Sequence, residues 1–251
     1  GKMKLLVTND DGILSEGIRA LAESLSVLGE VWVVAPDRER NAVSHALTLH
    51  RPLRITTISH YNYAINGTPA DCVNIGTHFL LPEKPDLVIS GINKGANLGN
   101  DINYSGTVAA AVEGTLMGIP SFAISLAGEQ SFKFQPAARF ALRVARFILD
   151  KGLPAHTLLN VNVPDTEGHE VDQYVITSQD TQARMNSVEE KTDPRGGLYY
   201  WIGRIHEGSE EDAGSGTSDL LAIRQKVISV TPLRIDRTQE SFLEDGFNCN
   251  F

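Results

Sequence analysis

The sequence predicts an α/β fold with a doubly wound, mostly parallel sheet, and three observations carry that expectation. Short apolar runs alternate with amphipathic helical stretches as far as about residue 165. The polar residues suited to chemistry fall just after those runs, where open α/β sheets place their ligands. The chain has 251 residues, 41% hydrophobic and 21% charged, which supports one large packed core and gives no sign of disorder.

The elements follow in order. Leu5-Leu6-Val7-Thr8 reads as a first buried strand and ends in Asn9-Asp10-Asp11-Gly12. Gly1 and Lys2 read as additions ahead of Met3, so the fold is reckoned from Met3. Ser15 can cap a helix whose Ile18, Leu21, Ala22 and Leu25 share a face, with Gly29 placed to end it. Residues 31–35 form a second strand, and this β-α-β unit implies parallel strands joined by a right-handed crossover. Thr68-Pro69 opens a helix with proline in its first turn, and residues 86–90 are the next strand. A glycine-rich loop over 91–106 leads into an alanine-rich helix over 107–117, then a strand over 120–125. In the stretch 135–149, Ala137, Phe140, Ala141, Val144 and Ile148 recur at helical spacing. Leu159, Val161 and Val163 alternate with Asn160 and Asn162 in a strand that Pro164 terminates.

Beyond about residue 165 the pattern changes. Residues 165–195 are polar, and Gly196-Gly197 precedes Tyr199-Tyr200-Trp201, which suggests long strands or hairpins outside the sheet. Residues 207–218 read as an exposed loop near a ligand, 227–233 as one more strand, and 237–245 as a tail helix. A single domain is expected over 1–251, with a core over about 3–165, a hairpin or lid region over about 166–235 and a tail over about 236–251.

The net charge of −9 argues against attachment to duplex nucleic acid or an anionic membrane, which needs clustered Lys and Arg. An anionic substrate then requires local positive charge, from a cation or a helix N-terminus. Cys72 and Cys249 lie far apart with no metal-ligand spacing, so free thiols in a reducing, cytoplasmic setting are the expectation. No apolar run approaches the roughly 20 residues that span a bilayer, and no signal-peptide pattern opens the chain.

In a parallel sheet the strand ends share one edge, so polar residues distant in sequence become neighbours. Strand one delivers Asp10 and Asp11, strand two delivers the loop through Asn41, and the later strand delivers Asn93. Carboxylates beside amide oxygens suit a hard divalent cation such as Mg²⁺, Mn²⁺ or Ca²⁺. Asn9-Asp10-Asp11-Gly12 is equally good turn and capping chemistry without a metal. Ser105, Gly106 and Thr107 stand at a helix start, where unpaired N–H groups and the helix dipole favour a phosphate. Ser105 as a plain cap is the competing explanation. Asn97 and the glycines around it fit a backbone that approaches a ligand closely. The loop lacks the Gly-Lys-Ser/Thr ending of a P-loop, and neither a zinc-binding histidine pair nor a Gly-x-Ser-x-Gly elbow occurs. His45, closest to the site in sequence, has two readings: a substrate or proton-transfer role, and a structural loop hydrogen bond. Asn160 and Asn162 read as partners of backbone at a strand end.

Five ordered segments together spell a known pattern: Thr8-Asn9-Asp10-Asp11-Gly12, Val34-Ala35-Pro36-Asp37-Arg38, Gly67-Thr68-Pro69-Ala70-Asp71-Cys72-Val73, Ser90-Gly91-Ile92-Asn93 and Tyr104-Ser105-Gly106-Thr107-Val108-Ala109-Ala110. The chain resembles SurE, the survival-protein family of metal-dependent nucleotidases, from about residue 3 to Ile228-Ser229-Val230-Thr231-Pro232-Leu233. The resemblance implies a Rossmann-like core and a phosphatase for nucleoside 5′-monophosphates, acting also on 3′-nucleotides and short polyphosphate. It implies one divalent cation per subunit, Mg²⁺ or Mn²⁺, on Asp10, Asp11, Asn93 and the position of Asn41, where most relatives carry serine. Asn9, Asn97, Ser105, Gly106 and Thr107 become the substrate or phosphate residues, and Asp10 or Asp11 the general base or the nucleophile. Homodimers or homotetramers are implied, with C-terminal elements exchanged or packed between subunits. Two rival functions are a nucleotide-binding sensor without turnover and a general acid phosphatase without base recognition. Tyr199, Tyr200 and Trp201 have two uses open to them, stacking a base and core packing.

Overall fold

A computed structural model describes residues 2–128, 132–181, 186–204 and 217–240. The first half runs β1 (Met3–Thr8), α1 (Glu16–Leu25), β2 (Gly29–Pro36), β3 (Ile55–Ser59), β4 (Asn62–Ile65), α2 (Pro69–Ile75) and β5 (Leu87–Lys94). It continues with α3 (Gly106–Leu116), β6 (Ser121–Ala127), α4 (Gln135–Lys151) and β7 (Thr157–Pro164). The last part holds β8 (Tyr174–Ile176), β9 (Asn186–Thr192), β10 (Leu198–Arg204), α5 (Asp219–Arg224) and β11 (Ile228–Arg234).

Leu5, Leu6 and Val7 are wholly buried because β1 is paired in parallel on both edges, with β2 and β5, and covered on both faces. Alternation along the strand divides the core. Leu5 and Val7 belong to the core cluster that holds Ile18, Leu21 and Leu25 of α1 and Phe140 of α4, whereas Leu6 belongs to the one with Val34, Cys72 and Val73 on the side of α2 and α3. Burying each of these leucines is worth roughly 1.5–3 kcal/mol, so the layer assignment follows from side-chain period alone.

The nine-stranded sheet has the order β3-β4-β2-β1-β5-β6-β7-β11-β8. The chain leaves β1 for β2 on one side and later resumes on the other side with β5. That reversal opens a crevice between the carboxyl ends of β1 and β5, the place where doubly wound sheets bind ligands.

The expected doubly wound sheet is present, with differences at its margins. Gly29 does not end α1, which stops at Ser26. It begins β2, and a Cβ there would come within 2.2 Å of the Met3 carbonyl oxygen. β5 runs on to Lys94, past the point where the sequence pattern placed a loop. β11 pairs antiparallel with β7, and β8 parallel with β11, so these strands enlarge the main sheet and do not stand outside it. Among the described residues only the β9–β10 hairpin is separate. β3, β4 and α5 are elements that periodicity did not reveal, because β3 is exposed along its whole length and α5 has only six residues. In the expected tail helix over 237–245, residues 237–239 are not helical and 241–245 lie outside the described residues. Most of the expected loop over 207–218 lies outside them too, as does Cys249, while Cys72 is a buried free thiol. No helix among the described residues is long and apolar enough to cross a membrane.

Candidate active site

At the carboxyl end of β1 the chain turns through Asn9, whose Nδ2 donates to the Gly12 carbonyl at 2.9 Å and to Ser15 Oγ at 2.8 Å, while its Oδ1 accepts from Gly12 N. This turn sets the next two side chains. Asp10 is 5% exposed and accepts a hydrogen bond from Thr107 Oγ1 at 2.6 Å. Its carboxylate rests against the start of α3, where a Cβ on Gly106 would stand 3.3 Å from Asp10 Oδ2. Glycine there lets the helix N-terminus close on the acid. Asp11 Oδ2 accepts from Lys94 N at 3.1 Å, which ties the acidic turn to the end of β5.

Burial pushes the Asp10 carboxyl above the ordinary carboxylate range, opposed chiefly by the Thr107 hydroxyl. Burial, with the neighbouring Asp10 charge next in weight, pushes Asp11 up to about 6. Two adjacent acids held this way are poorly compensated by the protein itself.

β5 carries a register irregularity between Ser90 and Asn93, and Gly91 has a φ of +146° with Ile124 packed where its Cβ would be. Bulges beside active sites re-aim the next side chain. Here the irregularity delivers Asn93, whose Nδ2 donates to the Gly95 carbonyl at 2.8 Å and leaves Oδ1 as the end for a ligand. Asn97 follows in a buried clamp. Its N–H donates to Asn162 Oδ1 at 2.8 Å, its carbonyl accepts from Asn160 Nδ2 at 2.9 Å and Asn162 Nδ2 at 3.0 Å, and its own Nδ2 donates to Ser125 Oγ at 2.8 Å.

These pieces surround a cavity of about 510 Å³, within the ~300–1,000 Å³ usual for small-molecule sites. Asp10, Asn41, Asn93, Asn97 and Ser105 line it. Asn9, Asp11, Gly106 and Thr107 are not among the lining residues: Asn9 organises the turn, and Thr107 turns its hydroxyl to Asp10. Ser105 caps α3, its Oγ accepting from Val108 N at 3.1 Å, so capping and cavity lining coexist in one residue. Asn41 Nδ2 donates to Glu39 Oε1, which leaves its amide oxygen for other partners.

His45 Nε2 pairs with Glu113 Oε2 at 2.5 Å, and His45 does not line the cavity. Tyr199, Tyr200 and Trp201 lie on the separate hairpin and are exposed, so they neither line the cavity nor pack in this chain's core. The aromatic residue that does line it is Tyr104, which stands in the Tyr104-Ser105-Gly106-Thr107 motif and to which the sequence alone assigns no role. Lys94, Leu98 and Leu220 also line the cavity and were not singled out, since only the fold brings α5 to the β5 loop.

Among the described residues no group of three or more His, Cys, Asp or Glu side chains is gathered to hold a metal. A cation here would depend on carboxylates plus amide oxygens. Asp10, Asp11, Asn93 and Asn41 offer that hard-oxygen set, which fits Mg²⁺ or Mn²⁺. The upward displacement of both acids fits it too, because a divalent charge would hold them ionised.

An α/β protein with an acidic pair and a capped helix N-terminus at its switch point is a candidate for phosphate-ester chemistry. The family described as Survival protein SurE matches residues 5–186. A Pelobacter propionicus protein named 5′-nucleotidase SurE is 55% identical over 94% of this chain and 95% of its own length. A Geobacter sulfurreducens protein of the same name is 53% identical over 96% of this chain and 91% of its own. The crystal structure of the SurE protein from Aquifex aeolicus superposes with a TM-score of 0.85 at 42% identity, covering 96% of this chain and 97% of that one. The chain belongs to the SurE family.

Proposed function

We propose that this protein is a 5′-nucleotidase, a phosphoric monoester hydrolase that releases inorganic phosphate from nucleoside 5′-monophosphates in the cavity between β1, β5 and α3. The observation that carries the reading is the contact of Asp10 with the α3 N-terminus: an acidic cation site and an anion site share one wall. The relatives named 5′-nucleotidase SurE support it.

Asp10, Asp11, Asn93 and Asn41 would hold one divalent cation, Mg²⁺ or Mn²⁺. When bound, the cation supplies charge neutralisation to the phosphoryl oxygens. Ser105 and Asn97 bind the phosphate from the cavity wall, and the α3 N-terminus adds its dipole. Thr107 holds Asp10 in place. Asp10 accepts a proton from a water whose oxygen bonds to phosphorus as the P–O5′ bond breaks, and the nucleoside oxygen takes a proton from solvent. Phosphoryl transfer asks mainly for positioning and charge stabilisation, so few side chains suffice. A phosphoenzyme trapped by acid quench would replace the water step with direct carboxylate attack.

Tyr104, exposed on the cavity wall, offers the base a stacking face. The same site admits 3′-nucleotides and short polyphosphate in this reading, since the phosphate contacts ignore the ester's origin. Val188, Leu198, Tyr200, Trp201 and Ile202, exposed on the β9–β10 hairpin, support assembly into homodimers or homotetramers.

The test is phosphate release from a panel of nucleoside 5′-monophosphates, 3′-monophosphates and ribose 5-phosphate with Mg²⁺ or Mn²⁺. Nucleotides should be turned over at least about tenfold faster than ribose 5-phosphate, with Tyr104→Ala removing most of that preference. Binding without release would make the protein a sensor. Equal rates across the panel would make it a general phosphatase.

A further inference from the structure

One wall of the cavity is held by a part of the chain that brings no group of its own to the phosphate. Asp219, the first residue of α5, is wholly buried. Its Oδ2 accepts from Gly99 N at 2.8 Å, and its Oδ1 accepts from Asp180 N at 3.0 Å and Leu220 N at 2.8 Å. Among the described residues it has no salt-bridge partner; three backbone N–H groups satisfy it instead. Gln179 Nε2 adds a bond to the Gly99 carbonyl at 2.8 Å.

The turn from Asn97 to Gly99 is therefore fastened at two ends. Asn97 is clamped by Asn160, Asn162 and Ser125 of the sheet. Gly99 is fastened by Asp219 and Gln179, which lie more than 75 residues further along the chain. Between the two anchors lies Leu98, and Leu98, Asn97 and Leu220 all line the cavity. The α5 segment is itself stitched to the end of β8, with Asp219 N donating to the Ser178 carbonyl at 2.9 Å. A buried carboxylate that collects N–H groups from three segments is costly to disturb, because each donor left unpaired bears its own desolvation penalty.

We propose that Asp219 is a positioning residue for phosphate-ester hydrolysis, fixing the Asn97–Gly99 turn to α5 so that the Asn97 wall meets the phosphate in register. The proposal rests on the reading of the cavity as a phosphate site. In Asp219→Asn one acceptor becomes an NH₂ that must face a backbone N–H, so the anchor is lost at one end while volume is unchanged.

The test measures inorganic phosphate affinity by calorimetry in the presence of Mg²⁺, together with kcat on a nucleoside 5′-monophosphate. Asp219→Asn should weaken phosphate binding and lower kcat by about tenfold or more, as expected when a binding wall shifts by a fraction of an ångström to an ångström. Thr177→Val is the control. It breaks a buried hydroxyl cluster with Ser229 and Thr231 nearby in the sheet, at 2.8 Å each, without touching the turn. This control should lose thermal stability with both readouts unchanged. Gln179→Ala removes the second Gly99 anchor and should lower kcat severalfold even where Asp219→Asn does not fold. Wild-type affinity and kcat in Asp219→Asn, equal kinetic loss in Thr177→Val, or an unaffected Gln179→Ala would each overturn the proposal. Wild-type protein that binds phosphate without turning over nucleotide would instead refute the nucleotidase reading, with the affinity measurement still deciding the role of Asp219.

Discussion

Asn41 is the most exposed of the proposed cation residues, and it sits where the family resemblance implies serine. An amide and a hydroxyl are both hard oxygen donors, so Asn41→Ser is expected to keep kcat within about threefold of wild type at saturating Mg²⁺. A loss beyond about tenfold would make the amide itself a specific ligand. At this scale Asp10 and Asn93 were marked by following apolar runs, Asn97 by its glycine-rich loop and Ser105 by a helix start, and all four line one cavity. What the residue string could not display was the direction of a side chain. Thr107 reads from the sequence as a phosphate residue, and only the fold shows that its hydroxyl meets Asp10 at 2.6 Å. His45 had a chemical and a structural reading, and the fold gives it a bond to Glu113 across 68 positions and no place in the cavity lining.

The loop over residues 37–54, which carries Asn41, has little regular structure of its own and is held by the helices beneath it. Ser44 N donates to the Tyr104 carbonyl at 3.1 Å, and Thr48 donates to Asp71 through N at 2.9 Å and Oγ1 at 2.6 Å. Asp71 also completes the α2 capping box with Thr68. Asp71→Ala is therefore expected to cost about 2–3 kcal/mol, summing a lost cap and unpaired donors, and to weaken Mg²⁺ affinity through the loosened loop. Thermal denaturation and metal titration check both effects; loss of stability with unchanged metal affinity would show that the loop keeps its place without this anchor. The capping pair Thr68-Pro69 was readable from sequence as a helix start. The tie from Thr48 to Asp71 was not, since nothing local marks a threonine 23 residues upstream as a donor to that carboxylate.

Across the whole molecule, the doubly wound sheet was legible because buried parallel strands leave continuous apolar runs. Its margins were not: β3 is exposed, and β8 and β11 join the sheet through pairings that no local pattern encodes. The acidic pair ties global stability to pH. Asp11 is pushed up from 3.8 to about 6, and Asp10 is raised as well. A raised carboxylate favours the fold when protonated, so this contribution is complete below the ordinary carboxylate value and is lost as pH rises through about 6. Mg²⁺ or Mn²⁺ should consequently raise the Tm more at about pH 7.5 than at about pH 5, because binding needs both acids ionised. An equal increment at the two pH values would contradict the assignment of these carboxylates to the cation. The central claim, that Asp10 joins a cation to a phosphate ester, is tested most directly by phosphate release from a nucleoside 5′-monophosphate by Asp10→Asn at saturating Mg²⁺ or Mn²⁺. The predicted loss exceeds about 100-fold, above the usual cost of losing an outer partner of a metal ligand, in a variant that keeps its fold. Full activity in that folded variant would contradict the claim.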